Sequence, residues 1–298
     1  MDDVIIIGGS FAGLTAAMHL VRARRKVTIL DTGLPRNRYA VGAHNVLGFD
    51  GASPAEIRAA GLANVLAYPT ARHVIAEATG IGGAPDDFVI RTLDGGVLQA
   101  RRLILSYGVV DQFPAIEGFA ECWGRTVVHC PYCHGYEVAG RPLGLLYSSP
   151  ASLHVTKLLS DWTDDLRLFS NGLDLPDGEV ARLEASGVRV LEGAVAAFIH
   201  DNGDMRAVRM ADGREIPLGG MFAHPRIRPS ARLHDDMGLA MEDSVLGPYL
   251  RINDEFETSQ RGIFAAGDLA GPRHSINGAI QGGSLAAIGA HRSLLGFT

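Results

Sequence analysis

Cysteine is scarce in this chain. Three occur in 298 residues, Cys122, Cys130 and Cys133, too few for a disulfide-stapled secreted scaffold. Positive charge is short as well. Lys and Arg number 27 against 33 Asp and Glu, and the net charge of -6 leaves no basic field. No nucleic-acid partner is therefore expected. No run reaches the roughly 18 apolar residues of a membrane helix, so no membrane partner is expected either. The N-terminus, MDDVIIIGG, opens acidic and lacks the basic start and longer apolar stretch of a signal peptide. The cytoplasm is the expected location. What is present is the composition of a soluble globular protein, 47% hydrophobic and 20% charged, long enough for two compact domains.

The start of the chain carries a nucleotide-binding pattern. Residues 4–8, VIIIG, form a β-branched run suited to a buried parallel strand. Gly8, Gly9, Ser10, Phe11, Ala12 and Gly13 make a tight turn, and helical character follows over 13–25. A second strand runs from Val27 to Leu30 and ends in Asp31. This is a βαβ unit. Its turn departs from the dinucleotide pattern G-x-G-x-x-G at one place, where Ser10 replaces the middle glycine. Small residues still let the backbone approach a pyrophosphate at the helix N-terminus, and Asp31 stands where an acid accepts hydrogen bonds from a ribose. A glycine-rich turn in an α/β fold without a ligand is the alternative.

Further along, 86–93 and 97–105 read as a hairpin turned at Asp94-Gly95-Gly96. A second α/β segment begins near residue 111. It has strands at 141–147, 166–169, 188–192, 195–200 and 205–210, and a helix at 153–162. The pattern changes again near 223. A strand over 261–266 leads into Gly267-Asp268, and a Gly/Ala-rich helix spans 277–295. The pattern predicts an α/β protein of two nucleotide-binding-type, Rossmann-like, three-layer domains. Residues 1–110 plus 223–298 form the first, and 111–222 form an inserted second.

Cys130-Pro131-Tyr132-Cys133 is a CxxC pair followed at once by His134. Two intervening residues allow a disulfide only in a tight turn, which Pro131 stiffens. The thiolate is the reactive form, so the site needs a lowered pKa or a base. An imidazole near its ordinary value of roughly 6.5 can take and return a proton at neutral pH. A zinc site would need about four ligands and no second CxxC exists, so no metal is expected. Tyr136 and Glu137 read as local structure, His134 has packing as its alternative role, and Cys122 reads as a plain buried thiol.

These pieces, in this order, resemble the low-molecular-weight thioredoxin reductase family of FAD-dependent disulfide oxidoreductases over essentially the whole chain. The resemblance rests on Gly8 to Gly13, Ser106-Tyr107-Gly108, Cys130 to Cys133 and Gly267-Asp268 with its helix. Within that family the chain is similar to the NADPH-independent dithiol oxidases of gliotoxin- and holomycin-type metabolites. Pro35-Arg36-Asn37, His44-Asn45, Gly48-Phe49-Asp50-Gly51 and residues 130–137 carry this closer likeness. The resemblance implies FAD held by the Gly8–Gly13 turn, Asp31, Arg36, His44, Gly108, Gly267 and Asp268, the last at the ribityl–phosphate region. It also implies Asn45 against the flavin, Val74 on the adenine side, and a homodimer. Where the family has an Arg-Gln pair this chain has Ser275 and Ile276, which do not match. His134 stands where the family has an acidic acid/base, and the working hypothesis is that Cys133 faces the flavin, Cys130 exchanges with substrate and His134 removes the proton. The N-terminus of the last helix, near Asn277-Gly278, would favour a reduced, anionic flavin; Gly282 and Gly283 have packing as their alternative role.

The family's second domain carries a glycine-rich turn and an arginine cluster for NADPH. Here the corresponding stretches read Ser148-Ser149-Pro150-Ala151-Ser152 and Leu168-Phe169-Ser170-Asn171-Gly172. Pro150 also removes a backbone donor. NADPH is not expected as a cofactor. Three functions stay open: oxidation of dithiols with oxygen as acceptor, thioredoxin reduction driven by NADPH or ferredoxin, and a non-enzymatic redox-sensing flavoprotein. The thiol partner is a small dithiol or a thioredoxin-like protein.

Overall fold

A computed structural model describes residues 1–297. The chain divides into two units. The first comprises Met1–Arg38, Pro54–Asp111 and Ile227–Thr298, and the second Tyr39–Ser53 and Gln112–Arg226.

The first unit is built on β1 (Asp2–Ile7), α1 (Phe11–Arg22), β2 (Val27–Asp31), α2 (Pro54–Leu66), β3 (Ala71–Ile75), β4 (Ala78–Ala84), β5 (Asp87–Thr92) and β6 (Val97–Leu105). Its seven-stranded sheet has the order β3-β2-β1-β6-β5-β4, and a last strand, Ile263–Ala265, joins β6. The β3-β2-β1-β6 core and the last strand are parallel, while β4 and β5 form an antiparallel extension. Val4, Ile5 and Ile6 are fully buried. Covered on both faces, a central parallel strand reads as a continuous apolar run, and each such side chain contributes roughly 1.5–3 kcal/mol. The C-terminal helix, Ile276–Leu294, shares one core with α1 through Ala286, Ala287, Ala290, Ala16 and Ala17.

The second unit has a five-stranded parallel sheet in the order Arg189–Leu191, Leu166–Phe169, Leu143–Leu146, Gly220–Phe222, Val127–Val128. A three-stranded antiparallel sheet, Val195–Asp201, Asp204–Met210 and Glu215–Pro217, accompanies it. No helix among the described residues is long and apolar enough to cross a membrane.

The compact units differ in two places from the expected domain bounds. The segment Tyr39–Ser53 falls within the range 1–110 assigned to the first domain, but it groups with the second unit. The second unit also runs to Arg226 rather than 222. The physical reason for the first change is a set of long-range bonds between this segment and the redox helix, described below. The CxxC pair is not a free-standing tight turn. It opens a helix, Pro131–Val138, with Cys130 as N-cap and Pro131 at the first helical position, where its fixed φ and missing N–H suit the first turn.

Candidate functional site

In the first unit the turn after β1 forms a cradle. Gly8 has φ +110°, and a Cβ on it would overlap the Ser106 carbonyl. A Cβ on Gly13 would overlap the Gly8 carbonyl oxygen. No other residue type fits either place. Ser10, by contrast, is extended, φ -99° and ψ -161°, so a side chain there costs nothing and explains the departure from the glycine pattern. Ser10 is the N-cap of α1 and makes no side-chain cap bond. The unpaired first-turn amides of α1 thus stay available to an anion.

Asp31 ends β2 and accepts a 2.9 Å bond from Arg58. Arg58 also donates to the Gly9 carbonyl at 3.3 Å. Arg58 lies 27 residues from its partner on α2, and no sequence motif signalled it. Val74 pairs with Leu30 in the β2–β3 ladder. Gly267, φ +74°, lies against Ala12 at the start of α1, which brings the Gly267-Asp268 turn to the cradle. Arg36 donates to Asp268 at 2.9 Å and forms a two-point bond with Asp111 at 2.9 and 2.5 Å. The two carboxylates push its pKa above the ordinary arginine value against the effect of burial. His274 Nδ1 lies 2.8 Å from Arg36, so Nδ1 accepts and Nε2 donates to the Gly271 carbonyl at 3.1 Å. Burial, with help from Arg36, holds the His274 pKa below its usual value. Ser275 caps the C-terminal helix, accepting from the Gly278 amide at 2.9 Å, and Ile276 is that helix's first residue. Gly108 has φ +70° with open space around it. A flavin dinucleotide fits this cradle: the glycine turn admits no Cβ, the helix end is uncapped, and Asp31 and Asp268 flank it.

In the second unit Cys130 and Cys133 form a disulfide with Cα atoms 5.3 Å apart. The amides of Cys133 and His134 both donate to the Cys130 carbonyl at 3.2 Å and close the first turn. The positive end of the helix favours thiolate there once the disulfide opens. The helix is seated on Trp162. Gly135 lies under the indole, where a Cβ would come within 2.8 Å of Nε1, and Tyr132 meets it edge-on at 5.9 Å. His134 is one turn beyond Cys130 on the same helix face. Neither of its ring nitrogens finds a hydrogen-bond partner among the described residues. Burial pushes its pKa down; Glu137 opposes that shift and His44 adds to it.

His44 and Asn45, expected at the flavin, are joined here to the redox helix. Asn45, φ +62°, donates from its side chain to the Tyr132 carbonyl at 2.6 Å and from its amide to Asp50 at 2.8 Å. His44 Nε2 lies 3.3 Å from Glu137. Trp162 and Glu137 went unrecognised as part of this site, since their roles arise from contacts the local pattern does not encode. Cys122 is buried and free, its thiol pushed up to about 11 by burial. Among the described residues no group of three His, Cys, Asp or Glu is placed to hold a metal ion.

The turn after Leu143–Leu146 is arranged differently. Ser149 is the N-cap of a short 3-10 turn, Pro150–Leu153, whose entry is closed by the Ser152 hydroxyl. Ser152 Oγ accepts from the Ser149 amide at 3.4 Å and donates to the Ser149 carbonyl at 2.5 Å. After Leu166–Phe169, Ser170 and Asn171 side chains accept from the Gly193 and Val195 amides.

A nucleotide cradle in one unit and a helix-borne disulfide in the other define a flavin-dependent disulfide oxidoreductase, and the chain belongs to the pyridine nucleotide-disulphide oxidoreductase family, which it matches over residues 2–155 and 174–283. Within that family it is thioredoxin reductase-like, and the family implies FAD. It is similar to thioredoxin reductase tcpT of Claviceps purpurea, 31% identical over 98% of this chain and 94% of the relative. Among solved structures it resembles the oxidoreductase from Agrobacterium tumefaciens, 40% identical with a TM-score of 0.93, covering 99% of this chain and 98% of that one. It also resembles HlmI, 34% identical with a TM-score of 0.91, covering 99% and 93%.

Proposed function

We propose that this protein is an FAD-dependent oxidase that converts dithiols to disulfides through Cys130 and Cys133, with dioxygen as acceptor and without NADPH. The observation that carries the reading is the turn closed by the Ser152 hydroxyl. In the second unit the turn that would hold a dinucleotide phosphate turns the Ser148 and Ser149 amides onto its own Ser152 hydroxyl.

Oxidation of one dithiol releases two electrons and two protons. A substrate thiolate attacks Sγ of Cys130, the Cys130–Cys133 bond breaks, and Cys133 leaves as thiolate, stabilised by the helix N-terminus. The second substrate thiol then attacks the mixed disulfide, releasing the product disulfide and the Cys130 thiolate. His134 takes the proton from the attacking thiol. Its depressed pKa keeps it neutral, and so able to accept, to below the ordinary histidine value. The Gly8–Gly13 turn, Asp31, Gly108, Gly267 and Asp268 would hold FAD, with Arg36 fixing Asp268. When bound, FAD would supply the two-electron acceptor for the reduced Cys130–Cys133 pair, with dioxygen as the final acceptor and hydrogen peroxide as its product. The protein works as a homodimer.

A second reading, NADPH- or ferredoxin-driven reduction of a thioredoxin-like protein, is favoured by the name of the Claviceps relative. Anaerobic mixing separates the two. The flavin's blue absorbance should bleach with a dithiol and stay unchanged with NADPH. Rapid bleaching by NADPH would sink the oxidase reading.

A further inference from the structure

The face of the redox helix that carries His134 lines a cavity of about 270 Å³ in the second unit. The titratable and charged groups around it are His134 and Glu137 of the redox helix, Arg141 beyond it, His44 of the 39–53 segment, Arg125, and Asp204. A volume of this size has room for several water molecules at about 30 Å³ each. The His134 and His44 rings meet edge to face with centroids 6.3 Å apart. His44 stands 3.3 Å from Glu137 through Nε2 and 3.7 Å from Asp50 through Nδ1.

These groups form a gradient of exposure. The ring nitrogens of His134 are buried. His44 is 25% exposed, Glu137 41% and Asp50 71%. A base whose nitrogens are sealed off can take one proton from a thiol, but it must pass that proton on before the second thiol reacts. We propose that His44 and Glu137 are positioning residues that relay the proton of His134 through this cavity to solvent. The inference rests on His134 being the base. In each relay event one N–H bond of His134 breaks as a water of the cavity takes the proton, that water passes a proton to the His44–Glu137 pair, and one leaves by way of Asp50. No electrons move. The alternative is a clamp, in which the His44–Glu137 pair only ties the 39–53 segment to the helix.

The test uses the FAD-loaded enzyme, dithiothreitol as reductant and anaerobic stopped-flow bleaching at two concentrations of imidazole buffer. Glu137→Gln and His44→Gln should each slow bleaching about 10-fold or more in dilute buffer. Concentrated imidazole, carrying protons in place of the relay, should restore at least half the rate. Glu137→Asp should retain most of it. The wild type should be indifferent to buffer, a measurement that stands even if a variant folds poorly. Slowing without buffer rescue, wild-type rates in both variants, or a buffer-dependent wild type would overturn the relay. His134→Gln separates the two layers. If it bleaches at the wild-type rate, the base reading itself fails. If it is slow while the relay variants behave as a clamp, only the relay fails.

Discussion

The two units each contain a parallel strand that runs into a turn and a helix, and the two turns meet opposite needs. After β1 the chain reads Gly8 to Gly13, and the N-cap Ser10 makes no side-chain bond. After Leu143–Leu146 it reads Ser148 to Ser152, and the Ser152 hydroxyl bonds both the amide and the carbonyl of Ser149. An open helix end waits for an external anion; a capped one has answered its own unpaired amides. A handful of side chains decides whether the same supersecondary unit is a ligand site or scaffolding.

The comparison breaks most sharply at Gly13. Gly13→Ala would drive a methyl group into the Gly8 carbonyl. The expected result is loss of most bound flavin, roughly 10-fold or more, read as the ratio of blue to ultraviolet absorbance; full flavin retention would mean the cradle is not where FAD sits. Next in size, Ser149→Ala with Ser152→Ala removes the cap of the second turn. It should cost about 1–2 kcal/mol and lower the melting temperature by about 2–8 °C, with flavin content unchanged. A new ability of NADPH to bleach the flavin in that variant would show that the cap alone excludes the nucleotide.

A pH dependence sharpens the same contrast. Burial depresses the pKa of His274 below its unfolded value. Its contribution to stability is therefore complete above about pH 6.5 and is lost as pH falls through the folded value. Flavin retention should weaken on acidification from pH 7 toward 5, and His274→Gln should flatten that profile; an unchanged profile would exonerate His274. The smallest effect is expected at Ser10→Gly, a few tenths of a kcal/mol, because Ser10 is extended and its side chain caps nothing.

Much of the architecture was legible before the structure. Val4–Ile7 is apolar because a central parallel strand is covered on both faces, and the resulting run stands out. The C-terminal helix was readable from its Gly/Ala content to within one residue at each end. Other features were invisible because distant residues create them. Arg58 reaches Asp31 across 27 positions, and Asn45 reaches Tyr132 across 87. The helical start of the CxxC segment was missed because Cys-Pro reads as a turn, although proline is equally at home at a first helical position. Trp162 gave no sign of being the seat of Gly135.

The pairing of the last strand, Ile263–Ala265, with β6 has a consequence for birth rather than for catalysis. More than half the chain lies between the two partners. A ribosome making about 5–20 residues per second leaves that stretch of β6 without its neighbour for many seconds. During that interval the nascent protein presents a bare apolar sheet edge, the kind that recruits chaperones or other chains. The second unit can finish folding while the first still waits for its closing strand, so the nucleotide cradle, completed by Gly267 and Asp268, is among the last things the cell receives.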